Sequence, residues 1–168
     1  MNDSDDEFEQ ALKFSDGKNY LDALRLYSDL IEKYPTDPKG YRKRSHLYAK
    51  MELWEEAAQD IGHALSFGPK EPCDFFTRGR MYLRMNKAKQ AYEDLTKTIE
   101  LGNCYDDHYY TEMAHFFRAE CLLRLGRLSE ALADCEHVRE DMKTFIYPSV
   151  RSKADIVREA RYRLPPDR

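Results

Sequence analysis

One spacing limits what this chain can fold into more than any other feature: the same residue types return every 34 positions. The recurring residues form an alanine set and an aromatic set: Ala23, Ala57 and Ala91, and Phe14, Tyr48 and Tyr82. A fixed period of about 20–50 residues indicates stacked copies of one supersecondary unit. Two antiparallel helices of about 13 residues with short turns fill such a period, and neither buries its apolar face alone. The period therefore predicts a stack of helix pairs that share a core.

A fourth unit follows the first three at a longer spacing. Its alanine, Ala131, comes 40 residues after Ala91. The extra residues fall at about 106–111. We expect this insertion to lengthen the helix that follows it, with Asp106 or Asp107 as the N-cap, since a short carboxylate side chain accepts the first free backbone N–H groups of a helix.

Small residues stand where the two helices of each pair are expected to cross. They are Ala11, Ser45, Gly79 and Ala119 on the first helices, and Ala23, Ala57, Ala91 and Ala131 on the second helices. Small side chains let two helix backbones approach closely, and larger residues fill the layers between pairs. The pattern predicts helices at residues 5–15, 20–33, 38–50, 54–67, 72–84, 88–101, 109–125, 128–140 and 151–164.

The chain resembles the tetratricopeptide-repeat (TPR) family in segments such as Tyr41-Arg-Lys-Arg-Ser45…Tyr48 and Phe75…Arg78-Gly79…Tyr82, each followed by its alanine. The resemblance extends over residues 4–145 and departs from the family pattern at the insertion and at Glu7, where an aromatic residue is usual. It implies an all-α fold, a right-handed α-solenoid of four TPR helix pairs plus a C-terminal capping helix. We expect one TPR domain over residues 1–168, with repeats at 4–37, 38–71, 72–105 and 112–145, the insertion at 106–111 and the capping helix at 149–164.

The composition and the motifs argue against catalysis. Charged residues make up 35% of the chain and hydrophobic residues 42%, which is typical of amphipathic helices with solvated outer faces. The sequence has no G-x-S-x-G, no Gly-rich phosphate loop and no H-E-x-x-H. Glu112 and His115 make one E-x-x-H step, whereas a di-iron bundle needs two. We therefore expect a protein that is not an enzyme and holds no metal or cofactor.

The cysteines and the first residues indicate the compartment. Cys73, Cys104, Cys121 and Cys135 form no C-x-x-C pair and no Cys/His ligand spacing, a pattern typical of free thiols in a reducing cytosol. Residues 1–9 are acidic and lack the basic start and apolar core of a signal peptide. The sequence has no run of about 18 apolar residues that would span a bilayer. We expect a cytoplasmic protein without a membrane segment.

The resemblance also implies where a partner would bind, because the first helix of each TPR pair lines the concave side of the solenoid. Between Pro38 and Met51 five Lys and Arg residues occur with no acidic residue, and several of them share one helix face. Basic and aromatic side chains together suit an acidic peptide or an acidic protein surface. The predicted contacts are Lys39, Arg42, Lys43, His46, Lys50, Phe76, Arg80, Arg84, Phe116, Glu120 and Arg124.

Two further groups of residues receive separate predictions. Tyr105, Tyr109 and Tyr110 flank the insertion and are either core residues of a longer helix or a second contact surface. Arg44, Arg78 and Arg118 occupy one equivalent position in three repeats. We interpret these arginines as structural residues whose aliphatic stems pack between helices.

One ligand of the TPR family is excluded by the residues themselves. TPR co-chaperones hold the acidic tails of cytosolic chaperones in a carboxylate clamp. The clamp consists of lysine and asparagine on the first helix, asparagine on the third helix, and lysine and arginine on the fifth helix. The corresponding residues here are Phe8, Leu12, Lys43, Cys73 and Thr77. None of the five matches, so the resemblance does not imply that ligand.

The leading hypothesis is a non-catalytic protein–protein interaction module that binds a partner protein or an acidic peptide in a partly basic TPR groove. A second hypothesis is a bacterial immunity protein that neutralises a cognate toxin, because residues 133–136 and 151–156 resemble the closing stretch of small TPR proteins found beside secreted toxins. A third is a secretion chaperone, although TPR chaperones of that class usually carry a longer extension before the first repeat. A nucleic-acid partner is disfavoured by the net charge of −4, and a homodimer through the terminal units is left open.

Overall fold

A computed structural model describes residues 3–105, 108–146 and 148–165 of the chain. The helices are α1 (Asp3–Asp16), α2 (Tyr20–Lys33), α3 (Pro38–Lys50), α4 (Trp54–Phe67), α5 (Pro72–Arg84), α6 (Ala88–Tyr105), α7 (His108–Arg124), α8 (Leu128–Glu136) and α9 (Lys153–Arg163), and the strands are β1 (Lys143–Ile146) and β2 (Ser149–Ser152). The helical-repeat fold predicted from the period is confirmed. From α2 to α5 the helices begin and end at the predicted residues.

The chain divides into two compact units, Met1–Lys70 and Glu71–Arg168. Unit 1 contains α1–α4, and its core includes Phe8, Tyr27 and Leu47. Unit 2 contains α5–α9 and the two strands, and its core is built around residues such as Phe76 and Phe117. The proposal of a single domain over residues 1–168 stays a prediction, and the two units are described separately below.

The same turn joins the two helices of every repeat. The second residue after each first helix has a left-handed backbone, with φ of 61° at Lys18, 61° at Glu52, 58° at Asn86 and 75° at Gly126. The next N–H reaches back to a carbonyl five residues earlier, as in Leu53 N to Tyr48 O at 2.9 Å and Arg127 N to Leu122 O at 2.9 Å. This bond pattern is the Schellman motif, which satisfies the free carbonyls at a helix end.

The helix crossings are as close as the small residues predict. Ala23, Ala57, Ala91 and Ala131, which lie on the second helices, are all 0% exposed. On the first helices, a Cβ added to Gly79 would lie 3.1 Å from Leu95 Cγ, and Ser45 Oγ donates to Ala57 O at 2.8 Å. A larger side chain at these positions would force the paired helices apart.

Three repeats contain a buried ion pair between their two helices. The pairs are Arg44 with Asp60 at 2.8 Å, Arg78 with Asp94 at 2.7 Å and Arg118 with Asp134 at 2.6 Å. Each guanidinium donates two hydrogen bonds to its carboxylate, which is the strongest geometry for such a pair. The structural role predicted for these arginines agrees with the structure, but the role depends on the charged head group as well as on the stem.

The pair of the fourth repeat includes a histidine. His115 Nδ1 lies 2.9 Å from Asp134 Oδ1 in a buried position. Burial would raise the pKa of Asp134, but hydrogen bonds from Arg118 and His115 outweigh it and lower that pKa below its usual value. Asp134 is therefore stabilised in its charged form by groups of its own repeat.

The insertion lengthens the helices on either side of it. α6 continues to Tyr105 instead of ending at residue 101, and α7 begins at His108. Residues 106 and 107 lie outside the described part of the chain, so the proposed N-cap at Asp106 or Asp107 stays a prediction. Residues 108–111, which were assigned to the insertion, form the first turn of α7.

The end of the fourth repeat differs from the all-α prediction. α8 ends at Glu136 rather than at residue 140, and the two antiparallel strands β1 and β2 follow it as a β-hairpin. The predicted capping helix at 149–164 is shortened to α9, because its first four residues form β2. Ser152 caps α9 in a reciprocal arrangement with Asp155, in which each side chain accepts from the other's backbone N–H.

The hairpin has one inner and one outer face. Ile146 is 2% exposed and belongs to the core of unit 2. Arg151, on the same face by strand alternation, donates to Glu120 at 3.1 Å and to Glu159 at 2.8 Å. The hairpin is therefore fixed to α7 and α9 by its inner face.

Candidate protein-binding surfaces

In unit 1 the predicted basic face of α3 is partly neutralised by α1. Lys50 Nζ donates to Ser15 Oγ at 3.1 Å and to Asp16 Oδ1 at 3.3 Å. The Lys39 ammonium lies 4.4 Å from the centroid of the Phe8 ring, a cation–π distance. These two lysines therefore already have partners in their own unit.

The remaining three predicted residues of α3 differ in their surroundings. Arg42 Nη2 donates to Pro69 O at 3.2 Å. Lys43 is exposed, and its ammonium makes no ion pair with any side chain that the structure describes. Partial burial, together with the charges of Lys50 and Lys43, lowers the pKa of His46, and Asp16 only partly opposes this shift. His46 is therefore neutral at pH 7, and Lys43 is the most accessible charge of this face.

In unit 2 the predicted arginines of α5 lie on aromatic rings. The Arg80 guanidinium carbon is 5.6 Å from the Phe76 ring and 5.3 Å from the Phe117 ring. The Arg84 guanidinium carbon is 5.0 Å from the Phe145 ring of the hairpin. Both guanidiniums thus lie within cation–π distance of aromatic rings.

Three residues predicted to contact a partner are instead part of the interior. Phe116 is 0% exposed, Phe76 is 4% exposed and Glu120 is 6% exposed. Tyr110 and Phe117 of α7 cover Phe76, and α7, which carries Phe116 and Glu120, packs against both α6 and α8. Less of the surface of these helices is therefore free than a single exposed stripe suggests. We therefore do not retain these three residues as partner contacts.

Glu120 is surrounded by the chain's own arginines. Arg124 Nε donates to Glu120 Oε1 at 2.9 Å, and Arg151 Nε donates to Glu120 Oε2 at 3.1 Å. Arg124 Nη1 also lies 3.4 Å from Leu83 O. Arg124 therefore links α7 to α5, and its charge is largely used within unit 2.

The tyrosines near the insertion extend the surface around Arg80. Tyr110 is half-buried with its ring 5.4 Å from Phe76, and Tyr109, which is 67% exposed, lies 5.3 Å from Tyr110. Tyr105 ends α6, but its side chain lies outside the described part of the chain. The sequence analysis treated the basic residues of α5 and the tyrosines near the insertion as two separate surfaces. In the structure the basic residues of α5 and the tyrosines of α7 meet at Phe76.

We call this region the arginine–aromatic surface and define it by Arg80, Arg84, Tyr109 and Tyr110. Its distinguishing member is Arg80. Within the described residues Arg80 has aromatic neighbours but no carboxylate partner, whereas Arg78, two positions earlier, donates two hydrogen bonds to Asp94. Burial against the rings and repulsion from Arg84 lower the pKa of Arg80, although a guanidinium stays protonated at any physiological pH.

The chemistry that this surface offers is recognition of an anion. A guanidinium presents a planar fork of N–H donors that matches a carboxylate, and both Arg80 and Arg84 lie within cation–π distance of aromatic rings. The described residues contain no group of three or more His, Cys, Asp or Glu placed to hold a metal ion. None of the described helices has the length and apolar character needed to cross a membrane.

The comparisons with known proteins agree with a helical-repeat fold. No protein-family model matches the chain. The mitochondrial import receptor subunit TOM70 of Rattus norvegicus is 25% identical over 119 residues, which cover 68% of this chain and 18% of that protein. Hsp70-Hsp90 organizing protein 2 of Arabidopsis thaliana is 27% identical over 99 residues, which cover 59% of this chain and 17% of that protein. The chain thus spans less than a fifth of the length of either relative.

A solved structure shares the arrangement of the helices. YrrB, described as a TPR protein with an unusual peptide-binding site, aligns with a TM-score of 0.67 at 24% identity, over 78% of this chain and 64% of that chain. Together with the 34-residue period and the four equivalent turns, this defines the class as a helical-repeat solenoid. The chain has the helical-repeat fold seen in tetratricopeptide-repeat proteins.

Proposed function

We propose that this chain is a protein-binding module that holds an acidic segment of another protein on the arginine–aromatic surface of unit 2, with the basic face of α3 as an additional contact in unit 1. The observation that supports this most directly is the position of Arg80. Its guanidinium is partly desolvated on Phe76 and Phe117, yet within the described residues it has no carboxylate to compensate it.

An arginine in this position is mildly unfavourable for folding alone. Desolvating a charge costs free energy unless hydrogen bonds or an opposite charge replace the lost water. The neighbouring charge of Arg84 adds repulsion. A carboxylate from a partner would remove both costs, and arginine and tyrosine are among the residues that contribute most to binding at protein interfaces.

The relatives and structural neighbours are consistent with this class of function. One relative is named as an organizing protein of Hsp70 and Hsp90, and YrrB is described as having a peptide-binding site. Stacked helical repeats present extended surfaces that are well suited to bind other proteins. The carboxylate-clamp residues are absent from the sequence of this chain, so we do not extend the partners of those proteins to it.

The test is a comparison of two charge-reversed variants. Arg80→Glu with Arg84→Glu alters the arginine–aromatic surface, and Lys89→Glu with Arg161→Glu makes the same charge change at two exposed bases outside it. We expect the first variant to lose a partner captured from native extract and quantified by mass spectrometry, and the second to keep it. Equal capture by both variants, with circular dichroism showing unchanged helicity, would contradict the proposal.

The immunity-protein hypothesis gains no support from the residues that suggested it. Arg151 binds Glu120 and Glu159, Ser152 caps α9, and Lys153 donates to Val138 O at 2.7 Å. These residues anchor the hairpin and the last helix, so the resemblance of this stretch reflects the architecture of the fourth repeat. A toxin partner and a secretion substrate remain outcomes that sequencing the captured partner would distinguish.

We also propose that the protein works in a reducing compartment such as the cytoplasm. Cys121 and Cys135 are buried free thiols, Cys73 forms no disulfide bond, and the side chain of Cys104 lies outside the described residues. Burial raises the pKa of Cys135 to about 11 and raises that of Cys121 as well. Buried thiols with raised pKa values are structural rather than reactive.

A further inference from the structure

The β-hairpin has an outer face that the fold of unit 2 does not use. Phe145 pairs directly with Val150 across the two strands, so their side chains lie on the same face. They are 44% and 65% exposed. We call these two residues the hairpin ledge. The opposite face carries Ile146 and Arg151, which attach the hairpin to the core and to Glu120.

The hairpin ledge is continuous with the arginine–aromatic surface. The Arg84 guanidinium carbon lies 5.0 Å from the Phe145 ring, and the hollow between α5 and the hairpin is lined by Arg80, Arg84, Phe117 and Phe145 among its residues. Two guanidiniums and two large exposed apolar side chains thus stand side by side within unit 2.

We infer that the partner segment carries a large apolar or aromatic side chain next to its acidic residues, and that this side chain packs on the hairpin ledge while the carboxylates bind Arg80 and Arg84. This inference rests on the proposed function and narrows its ligand. A segment with acidic residues alone would leave Phe145 and Val150 in water. A segment that also carries a large apolar side chain would cover Phe145 and Val150. It would also exclude water from the guanidinium–carboxylate contacts, which strengthens those contacts.

A peptide selection measures both requirements at once. A phage-displayed library of random twelve-residue peptides would be selected in parallel on the wild-type chain, on a ledge variant (Phe145→Ser with Val150→Thr) and on a control variant (Tyr162→Ser). Tyr162 lies in α9 and is 89% exposed, so the control removes an exposed aromatic ring from elsewhere in unit 2. Phe145 and Val150 are exposed, so their replacement should leave the core intact. Thermal unfolding of the ledge variant would check that its stability is unchanged.

We expect wild type and the control to enrich peptides that combine Asp or Glu with Phe, Tyr, Trp, Leu or Ile, and the ledge variant to enrich acidic peptides without the apolar preference. In fluorescence titrations a wild-type consensus peptide should bind the ledge variant about tenfold more weakly, because much of one apolar side chain's burial is lost. Replacing the apolar residue of the peptide by Gly should weaken binding to wild type by a similar factor and hardly affect the ledge variant.

The outcomes distinguish the role of the hairpin ledge from the proposed binding of an acidic segment, on which it rests. Enrichment of acidic peptides with no apolar preference on wild type, or an unchanged preference on the ledge variant, would overturn the role of the hairpin ledge and leave the acidic-partner proposal standing. Enrichment of peptides without acidic residues, or no enrichment from the library at all, would overturn both proposals.

Discussion

Two arginines of α5 that stand two positions apart have different roles, and their neighbours distinguish them. Arg78 faces the second helix of its own repeat and donates two hydrogen bonds to Asp94, which is 6% exposed. Arg80 lies on Phe76 and Phe117 and is exposed enough to meet a partner. The structural arginine, Arg78, thus pairs with a carboxylate inside its repeat. The arginine proposed for binding, Arg80, contacts aromatic rings instead.

The first prediction concerns the buried pair. Asp94→Asn should lower the free energy of unfolding by about 3 kcal/mol, since it leaves the Arg78 guanidinium largely buried without a counter-charge. Replacing both partners by apolar residues, Arg78→Met with Asp94→Leu, should recover most of that loss. Urea denaturation followed by circular dichroism measures all three proteins.

Arg80→Met is the matched control for this prediction. Its side chain has no carboxylate partner within the described residues, so its removal should change the free energy of unfolding by less than about 1 kcal/mol. A neutral effect of Asp94→Asn, or a double variant as unstable as the single one, would show that the ion pair does not carry the stability assigned to it.

At the same scale, the sequence identified the arginines but not their partners. Arg44, Arg78 and Arg118 were recognised because they recur, and Asp60, Asp94 and Asp134 recur at the same distance behind them. That common offset of 16 residues was a signal for paired side chains. The burial of Phe76 and Phe116 could not be predicted, because helical position alone does not say which aromatic residue a neighbouring helix covers and which remains exposed.

Among the elements, the turn between the two helices of a repeat is the most regular feature of the chain. The left-handed position is occupied by Lys18, Glu52 and Asn86 in the first three repeats and by Gly126 in the fourth. For an L-residue this conformation costs about 1 kcal/mol relative to glycine. The turn is therefore maintained at some cost in three of the repeats, which indicates that the Schellman bonds and the helix crossing depend on it.

Gly126→Ala tests that cost with little interference from packing, because a Cβ at this glycine would meet no atom within 4 Å. We expect the free energy of unfolding to fall by about 1 kcal/mol, as the left-handed backbone becomes strained. Gly126→Asn should lose clearly less, since asparagine tolerates this conformation and already occupies the position in Asn86. Thermal unfolding of the two variants would decide it, and equal stability of the alanine variant and wild type would contradict the role of the turn.

The period predicted most helix bounds, but it failed where the repeat ends. The helices α2 to α5 belong to uninterrupted 34-residue repeats, so the packing of paired helices sets their lengths. The β-hairpin was missed because Val138 continues the helical stripe of α8, which favoured extending that helix to residue 140. Strands of four residues are too short to show their own alternation, and the signal was instead the β-branched and aromatic run Thr144–Phe145–Ile146 before Pro148.

For the molecule as a whole, the net charge is −4, which opposes the approach of an acidic partner. The proposed attraction must therefore come from a local concentration of positive charge that exceeds the average. The buried pairs contribute little to it, because Arg44, Arg78 and Arg118 are neutralised by their aspartates. In unit 2 the local field is expected to depend mainly on Arg80 and Arg84.

This balance predicts how binding responds to salt. The association rate of an acidic library-selected peptide with wild type should fall about tenfold between roughly 50 mM and 500 mM NaCl, because the Debye length shortens and screens the local arginines. In the variant Arg80→Gln with Arg84→Gln the rate should be lower at 50 mM NaCl and should fall little, or even rise, as salt screens the repulsion from the net negative charge. Stopped-flow fluorescence measures both rates. An equal salt dependence in the variant would place the attraction elsewhere on the molecule, with Lys43 and the other bases of α3 as the surface to be tested by the same replacement.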